Sequence, residues 1–180
     1  MKPVAILILI LFATLYADWL SIGPYGGYIY ALDKSPSNPD IFYAAEYCNP
    51  SRFFITTNRG SNWAPAGKVD SYIYDIAIDP TNPGIAYACG IGPYIYKTTN
   101  SGRDWAPLAT DINTLCGLAI NPSNPNIVYA VGYKLDNSIY LMTVSKSTDG
   151  GMTWVNTYFD STWGYGVSIA VDPISTNNVY

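Results

Sequence analysis

The chain has 180 residues, with nine Lys and Arg against 13 Asp and Glu, three Cys, no His and a formal net charge of −4. Without histidine there is no His-based triad, no imidazole metal ligand and no His pH switch, so no metal and no cofactor is expected. A negative balance with three Arg also lacks the dense basic face that nucleic acid requires.

Taken in chain order, residues 1–17 read as a secretory signal. Lys2 supplies the positive start, residues 4–15 an apolar run, and Ala17 a small residue before the cut. The run is shorter than the roughly 20 apolar residues of a membrane span, so cleavage is favoured over an uncleaved anchor. The mature protein is expected to be exported, secreted or at the cell surface or periplasm, with no membrane contact after cleavage. Export puts Cys48, Cys89 and Cys116 in a compartment that permits disulfides. Their odd number leaves at least one unpaired within the chain, and small buried thiols on strands are the alternative.

The rest of the chain repeats itself. One segment occurs four times, as Asp33…Asn38-Pro39…Tyr43, Asp79-Pro80…Asn82-Pro83…Tyr87, Asn121-Pro122…Asn124-Pro125…Tyr129 and Asp172-Pro173…Asn177…Tyr180. Asp or Asn accepts turn amides two residues on, while Pro fixes φ. A second segment alternates with it three times. It runs Thr56-Thr-Asn58-Arg-Gly60-Ser-Asn-Trp63, Thr98-Thr-Asn100-Ser-Gly102-Arg-Asp-Trp105 and Ser147-Thr-Asp149-Gly-Gly151-Met-Thr-Trp154, with the tryptophans 42 and 49 residues apart.

Within one repeat the turn residues separate four strands, placed in the second copy at 72–78, 85–89, 94–98 and 104–108. A period of 40–50 residues with four strands each predicts an all-β fold, a β-propeller of four-stranded antiparallel blades. Blades are expected at about 27–66, 72–109 and 114–158, with a partial unit from 164 to 180. Residues 18–22, beginning near Trp19, align with the strand after Trp63 and read as a lone fourth strand of a last blade not in this chain. Propellers close with four or more blades, so the remaining blades are expected from a longer chain, with self-pairing of two short chains as the alternative.

The Ser/Thr-x-Asp/Asn-x-Gly-x-x-Trp segment resembles the Asp-box, or BNR repeat, of sialidases, sortilin-type receptors, xyloglucan-degrading glycoside hydrolases and photosystem II assembly factors. Combined with the Asp-Pro-x-Asn-Pro turn, it is most similar to sortilin- and xyloglucanase-type propellers. The resemblance implies a structural role for Asn58, Gly60, Trp63, Asn100, Gly102, Trp105, Ser147, Asp149, Gly151 and Trp154, on the rim opposite any ligand.

Two loop sets then face the other rim: 67–71, 110–114 and 159–166 between blades, and 46–51, 90–93 and 132–138 within them. They present Asp70, Tyr72, Asp111, Tyr133, Asp136, Asp160, Trp163 and Tyr165, a mixture of carboxylates and rings suited to sugar hydroxyls and apolar sugar faces. The expected function is a non-catalytic binding or scaffold module for glycan or protein. The alternative is the N-terminal part of a xyloglucanase-type hydrolase. The resemblance places one catalytic carboxylate of that family nearest to Glu46, although the surrounding family pattern is absent. A sialidase is excluded, because Arg59 and Arg103 sit in the Trp turns and cannot join Arg52 in a triad. A photosystem-assembly role is the third possibility.

Overall fold

The computed structural model describes residues 23–24, 27–163 and 166–180, with the backbone alone for 158–163. The expected signal, the strand at 18–22 and Tyr165 lie outside the described residues. Among the described residues, twelve strands form three antiparallel sheets. The first holds β1 (Ile29–Lys34), β2 (Phe42–Glu46), β3 (Ser51–Thr56) and β4 (Ala64–Val69). The second holds β5 (Ile73–Ile78), β6 (Ala86–Gly90), β7 (Tyr94–Thr98) and β8 (Ala106–Ala109), and the third β9 (Thr114–Ile120), β10 (Val128–Asp136), β11 (Ile139–Ser147) and β12 (Val155–Trp163). In each sheet the strands lie in chain order, the meander expected of a propeller blade.

Residue choice follows position in the sheet. The second strand is covered on both faces, and β6 (Ala-Tyr-Ala-Cys-Gly) is buried throughout. Its small residues let neighbouring sheets approach, while Tyr43 and Tyr87 fill the space between sheets. The fourth strand is an edge, which tolerates Pro65 and Pro107 because no partner needs their missing N–H. Two apolar clusters result. Tyr43, Phe53 and Ala66 of the first sheet pack with Ile76, Ile78 and Ala88 of the second; Tyr87, Ile95 and Cys89 pack with Leu115, Leu118 and Val128 of the third.

The innermost strands are tied by two carboxylates. Asp33 on β1 accepts the Ile78 amide of β5 at 2.8 Å, and Asp75 on β5 accepts the Leu118 amide of β9 at 2.8 Å. Each carboxylate also accepts the amide of its own next residue. Beyond β12, residues 166–180 continue the succession: the amides and carbonyls of Ala170 and Tyr180 pair at 2.9 Å, and Val171 bridges Val179. This segment lies against β9, where a Cβ added at Gly117 would come within 3.2 Å of Ser168.

Four sequence expectations shift. Ser35, not Asp33, is the first copy of the turn acceptor. The Ser35 amide donates to the Ile41 carbonyl as Asp79 does to Ile85 and Asn121 to Ile127, and Ser35 Oγ accepts the Asn38 amide. Asp33 stands two residues earlier, free for its inter-sheet bond. The expected loop 132–138 is almost all strand: β10 and β11 run on to a two-residue turn at Asn137 and Ser138, with φ of 46° and 68°. Positive φ at both central residues matches the right-handed twist of the flanking strands. Likewise β12 extends to Trp163 through the expected connection 159–166. In the second blade the last strand is Ala106–Ala109, two residues later at its start than expected.

Candidate functional site

The two rims differ in chemistry. On one, the three Trp turns repeat a single hydrogen-bond circuit. Thr98 Oγ1 accepts the amides of Asn100 and Gly102, and Asn100 Oδ1 accepts the Asp104 amide; Thr56 with Asn58 and Ser147 with Asp149 do the same. The turn needs two consecutive left-handed residues: Arg59 and Gly60, Ser101 and Gly102, Gly150 and Gly151. In the third copy, the Thr153 hydroxyl and amide hold the Asp149 carboxyl down at about 2. These groups spend their bonding capacity on the turn itself.

Trp105 reaches across to the preceding blade, whereas Trp154 Nε1 donates to the Gly151 carbonyl of its own turn at 3.0 Å. Trp105 lies on Phe53 with ring centres 4.1 Å apart, and its Nε1 donates to the Ala66 carbonyl at 2.8 Å. Trp63, in the first copy, has a buried Nε1 with no hydrogen-bond partner, and lines a cavity with Gly23, Pro24, Ile29 and Phe42.

The opposite rim carries tyrosines. Tyr28 and Tyr30 at the start of β1, Tyr47 after β2, and Tyr72 and Tyr74 at the start of β5 form one ring-on-ring array. Centroid distances are 5.2 Å for Tyr30 and Tyr47, 4.9 Å for Tyr47 and Tyr72, and 6.1 Å for the nearly parallel Tyr47 and Tyr74. Tyr28, Tyr30 and Tyr47 remain 67%, 53% and 38% exposed. Tyr30, Tyr47, Tyr74, Cys116 and Val167 line a cavity of about 320 Å³. Tyr30, Tyr74, Cys116 and Val167 each stand five residues before the turn acceptor of their repeat, so four successive units contribute one position to this channel mouth. Burial, reinforced by Tyr47, pushes the Tyr74 hydroxyl up to about 12, and burial raises the Cys116 thiol. These groups stay protonated at neutral pH as hydrogen-bond donors. Below the mouth, burial raises Asp33 and pushes Asp75 up to about 6, against the amide bonds that favour ionisation.

Of the residues expected from the sequence, Tyr72 belongs to this array. Asp70 is exposed between β4 and β5. Tyr133 is on β10 with its ring edge against Tyr140, 5.1 Å away, and Asp136 is exposed at the end of the same strand. Asp111 binds Lys134 Nζ at 3.2 Å and Asn156 Nδ2 at 2.7 Å, bracing β10 and β12. The backbone of Asp160 and Trp163 lies on β12, and their side chains are outside the description. Glu46 is 3% exposed, and both its oxygens are held by Arg52, Oε1 from Nη2 at 2.7 Å and Oε2 from Nε. It lies so close under Gly27 that any Cβ there would collide with it. Tyr28, Tyr30 and Tyr74 were missed, yet a signal exists: Tyr-Ile-Tyr occurs at 28–30 and 72–74, at the entry to the first strand of two successive blades, with a third copy at 94–96 on β7. Among the described residues no group of three or more His, Cys, Asp or Glu is placed to hold a metal.

No protein-family model and no curated protein matches the chain. Solved structures do. The chain resembles the RRP9 WD40 repeats with a TM-score of 0.62 at 11% identity, over 83% of this chain and 43% of that one. The fold is a β-propeller. Two further propellers align with lower scores. YCF48 from Cyanidioschyzon merolae gives 0.49 at 14% identity over 74% of this chain and 38% of its own, and the GH74 enzyme of Niastella koreensis gives 0.42 at 17% over 82% and 34%. The chain spans less than half the length of each of these structures. At such identities the likeness speaks to fold alone.

Proposed function

We propose that this propeller is an exported, non-catalytic binding module whose ligand is a glycan, held at the tyrosine-lined channel mouth. On this reading the Trp turns are Asp-box repeats that hold the blades and take no part in binding. The supporting observation is the array of Tyr28, Tyr30, Tyr47, Tyr72 and Tyr74 beside an open cavity. Exposed rings offer flat apolar faces to the C–H faces of sugars, and tyrosine hydroxyls offer hydrogen bonds at the ring edges. A lone exposed aromatic needs no explanation, but a contiguous cluster does.

The hydrolase reading has less support. Glycoside cleavage uses two carboxyl groups flanking the bond, about 5–10 Å apart, and Glu46 is buried and clamped by Arg52. Affinity electrophoresis in gels cast with soluble β-glucan or xyloglucan tests the proposal. Retardation of the wild-type chain, lost in Tyr47→Ala and reduced in Tyr30→Ala, is the expected result. Unretarded migration in every polysaccharide, or retardation untouched by both variants, overturns it.

A further inference from the structure

The cavity at the channel mouth has three tyrosines among its lining residues and neither a Lys nor an Arg. Tyr30, Tyr47 and Tyr74 form a triangle of rings. The centroids are 5.2 Å apart for Tyr30 and Tyr47, 6.1 Å for Tyr47 and Tyr74, and 5.7 Å for Tyr30 and Tyr74. Their interplanar angles of 33°, 21° and 54° leave no ring edge-on to another. A cation seated over this triangle stands within about 6 Å of all three ring centres, the reach of a cation–π contact.

Beneath the rings lie two half-buried carboxylates that the fold leaves without a counter-charge. Asp75 directly follows Tyr74; burial, and the nearby charge of Asp33, disfavour its ionisation. Backbone amides engage every carboxylate oxygen, those of Lys34 and Ile78 for Asp33 and those of Ile76 and Leu118 for Asp75. Among the described residues the ion pairs are Glu46 with Arg52, Asp40 with Arg59 and Asp111 with Lys134. None of the described lysines or arginines is paired with Asp33 or Asp75. Buried charge is ordinarily paired, and low-dielectric walls of one sign focus their field into the opening above them.

We propose that the mouth binds its glycan through an amino sugar, whose free ammonium rests on Tyr30, Tyr47 and Tyr74 and supplies the counter-charge to Asp33 and Asp75. This rests on the glycan reading above and adds the chemical class of the sugar. Tyr28 and Tyr72, beside the triangle, take the C–H faces of adjoining units. A hydroxyl or an acetylated amine at the same carbon carries no charge and loses the contact.

Three β-1,4-linked hexasaccharides that differ only at C2 provide the test: the glucosamine hexamer, the N-acetylglucosamine hexamer and cellohexaose. Each is titrated calorimetrically into the full chain at low salt and pH 6.5, above the value of about 6 to which burial raises Asp75. The glucosamine hexamer is expected to bind at least tenfold tighter than the other two. Asp75→Asn removes that preference without changing the affinity for cellohexaose, and Asp33→Asn serves if Asp75→Asn does not fold. Asp40→Asn makes the same charge change beside the Trp turn of the opposite rim and keeps the preference. Equal affinity for all three overturns the ammonium contact and leaves the glycan reading standing. A preference that falls equally in Asp40→Asn belongs to net charge and also overturns the proposal. Binding of none of the three overturns it as well, and gel retardation then decides the glycan reading by itself.

Discussion

The carboxylate of Asp75 on β5 accepts the backbone amide of Leu118 on β9 at 2.8 Å, one residue further along its repeat, and Asp33 stands in the same relation to Ile78 on the neighbouring sheet. Neither bond belongs to a sheet ladder. Both are side-chain clasps between innermost strands, β1 to β5 and β5 to β9. Their position explains their chemistry: the carboxylates are desolvated where the strands converge, and the amides they accept offset part of that penalty.

Asp75 therefore makes stability depend on pH with an unusual sign. Its folded value, about 6, lies above the ordinary 3.8, chiefly through burial. The folded state holds the proton to higher pH than the unfolded chain. The stability contributed is thus fully present below pH 4 and is lost as pH rises through about 6. At about 1.4 kcal/mol per pH unit the full effect is on the order of 3 kcal/mol. Asp75→Asn keeps an acceptor for an amide and removes the charge. It is expected to flatten the slope of urea-unfolding free energy between pH 4 and 7; an unchanged slope would refute the assignment.

Trp105 and Trp63 should respond differently to one substitution. Trp105→Phe keeps a ring over Phe53 but loses the bond to the Ala66 carbonyl, at about 1 kcal/mol, and Trp105→Ala costs about 3–5 kcal/mol. In Trp63→Phe no hydrogen bond is lost, because Nε1 has no partner. Denaturant midpoints of the two Phe variants are expected to fall in that order.

Ser101 adopts φ of 60°, a conformation that an L side chain occupies at a cost of about 1–2 kcal/mol, where the third copy has Gly150. Ser101→Gly is expected to be stabilising by up to about 1 kcal/mol, after the extra freedom of the unfolded chain is subtracted. The neighbouring Gly102→Ala destabilises, since its Cβ would press on Ala66 at a φ of 81°. Thermal unfolding of both variants reads the contrast directly.

Thr98 is fully buried and its Oγ1 receives two turn amides. Thr98→Val preserves shape and orphans both, for a loss of about 1–3 kcal/mol, whereas Thr98→Ser retains the circuit, as Ser147 does in the third copy. Equal unfolding midpoints for the two variants would contradict the circuit.

How much of this was legible in the sequence depends on whether the signal was local. The blade period, the Trp turns and most strand bounds were readable because turn residues and alternation act within a few positions. The phase of the first repeat was not. Asp33 resembles Asp79 chemically, yet Ser35 makes the turn bonds, and only the partner strand explains the aspartate. The long β10–β11 hairpin was hidden because Asn137 and Ser138 build a tight turn without the glycine that usually announces it. The channel mouth was half visible. Tyr28, Tyr30 and Tyr74 sit in a repeated Tyr-Ile-Tyr, but their meeting with Tyr47 depends on which strands the fold puts side by side. Glu46 shows the converse: its composition suggested an accessible carboxylate, and packing under Gly27 with Arg52 across it engages both oxygens.

At both described joints a Trp turn seats its glycine and packs its indole on the face of the blade before it. Both halves of that contact therefore lie within one repeat: every unit carries a plug on its leading side and a socket on its trailing side. Duplication or deletion of one whole unit leaves every surviving plug opposite a matching socket. Such an arc can lengthen or shorten by recombination without compensating mutations at the joints, and the residues at its channel mouth are then free to diverge one unit at a time, as Tyr30, Tyr74, Cys116 and Val167 have done.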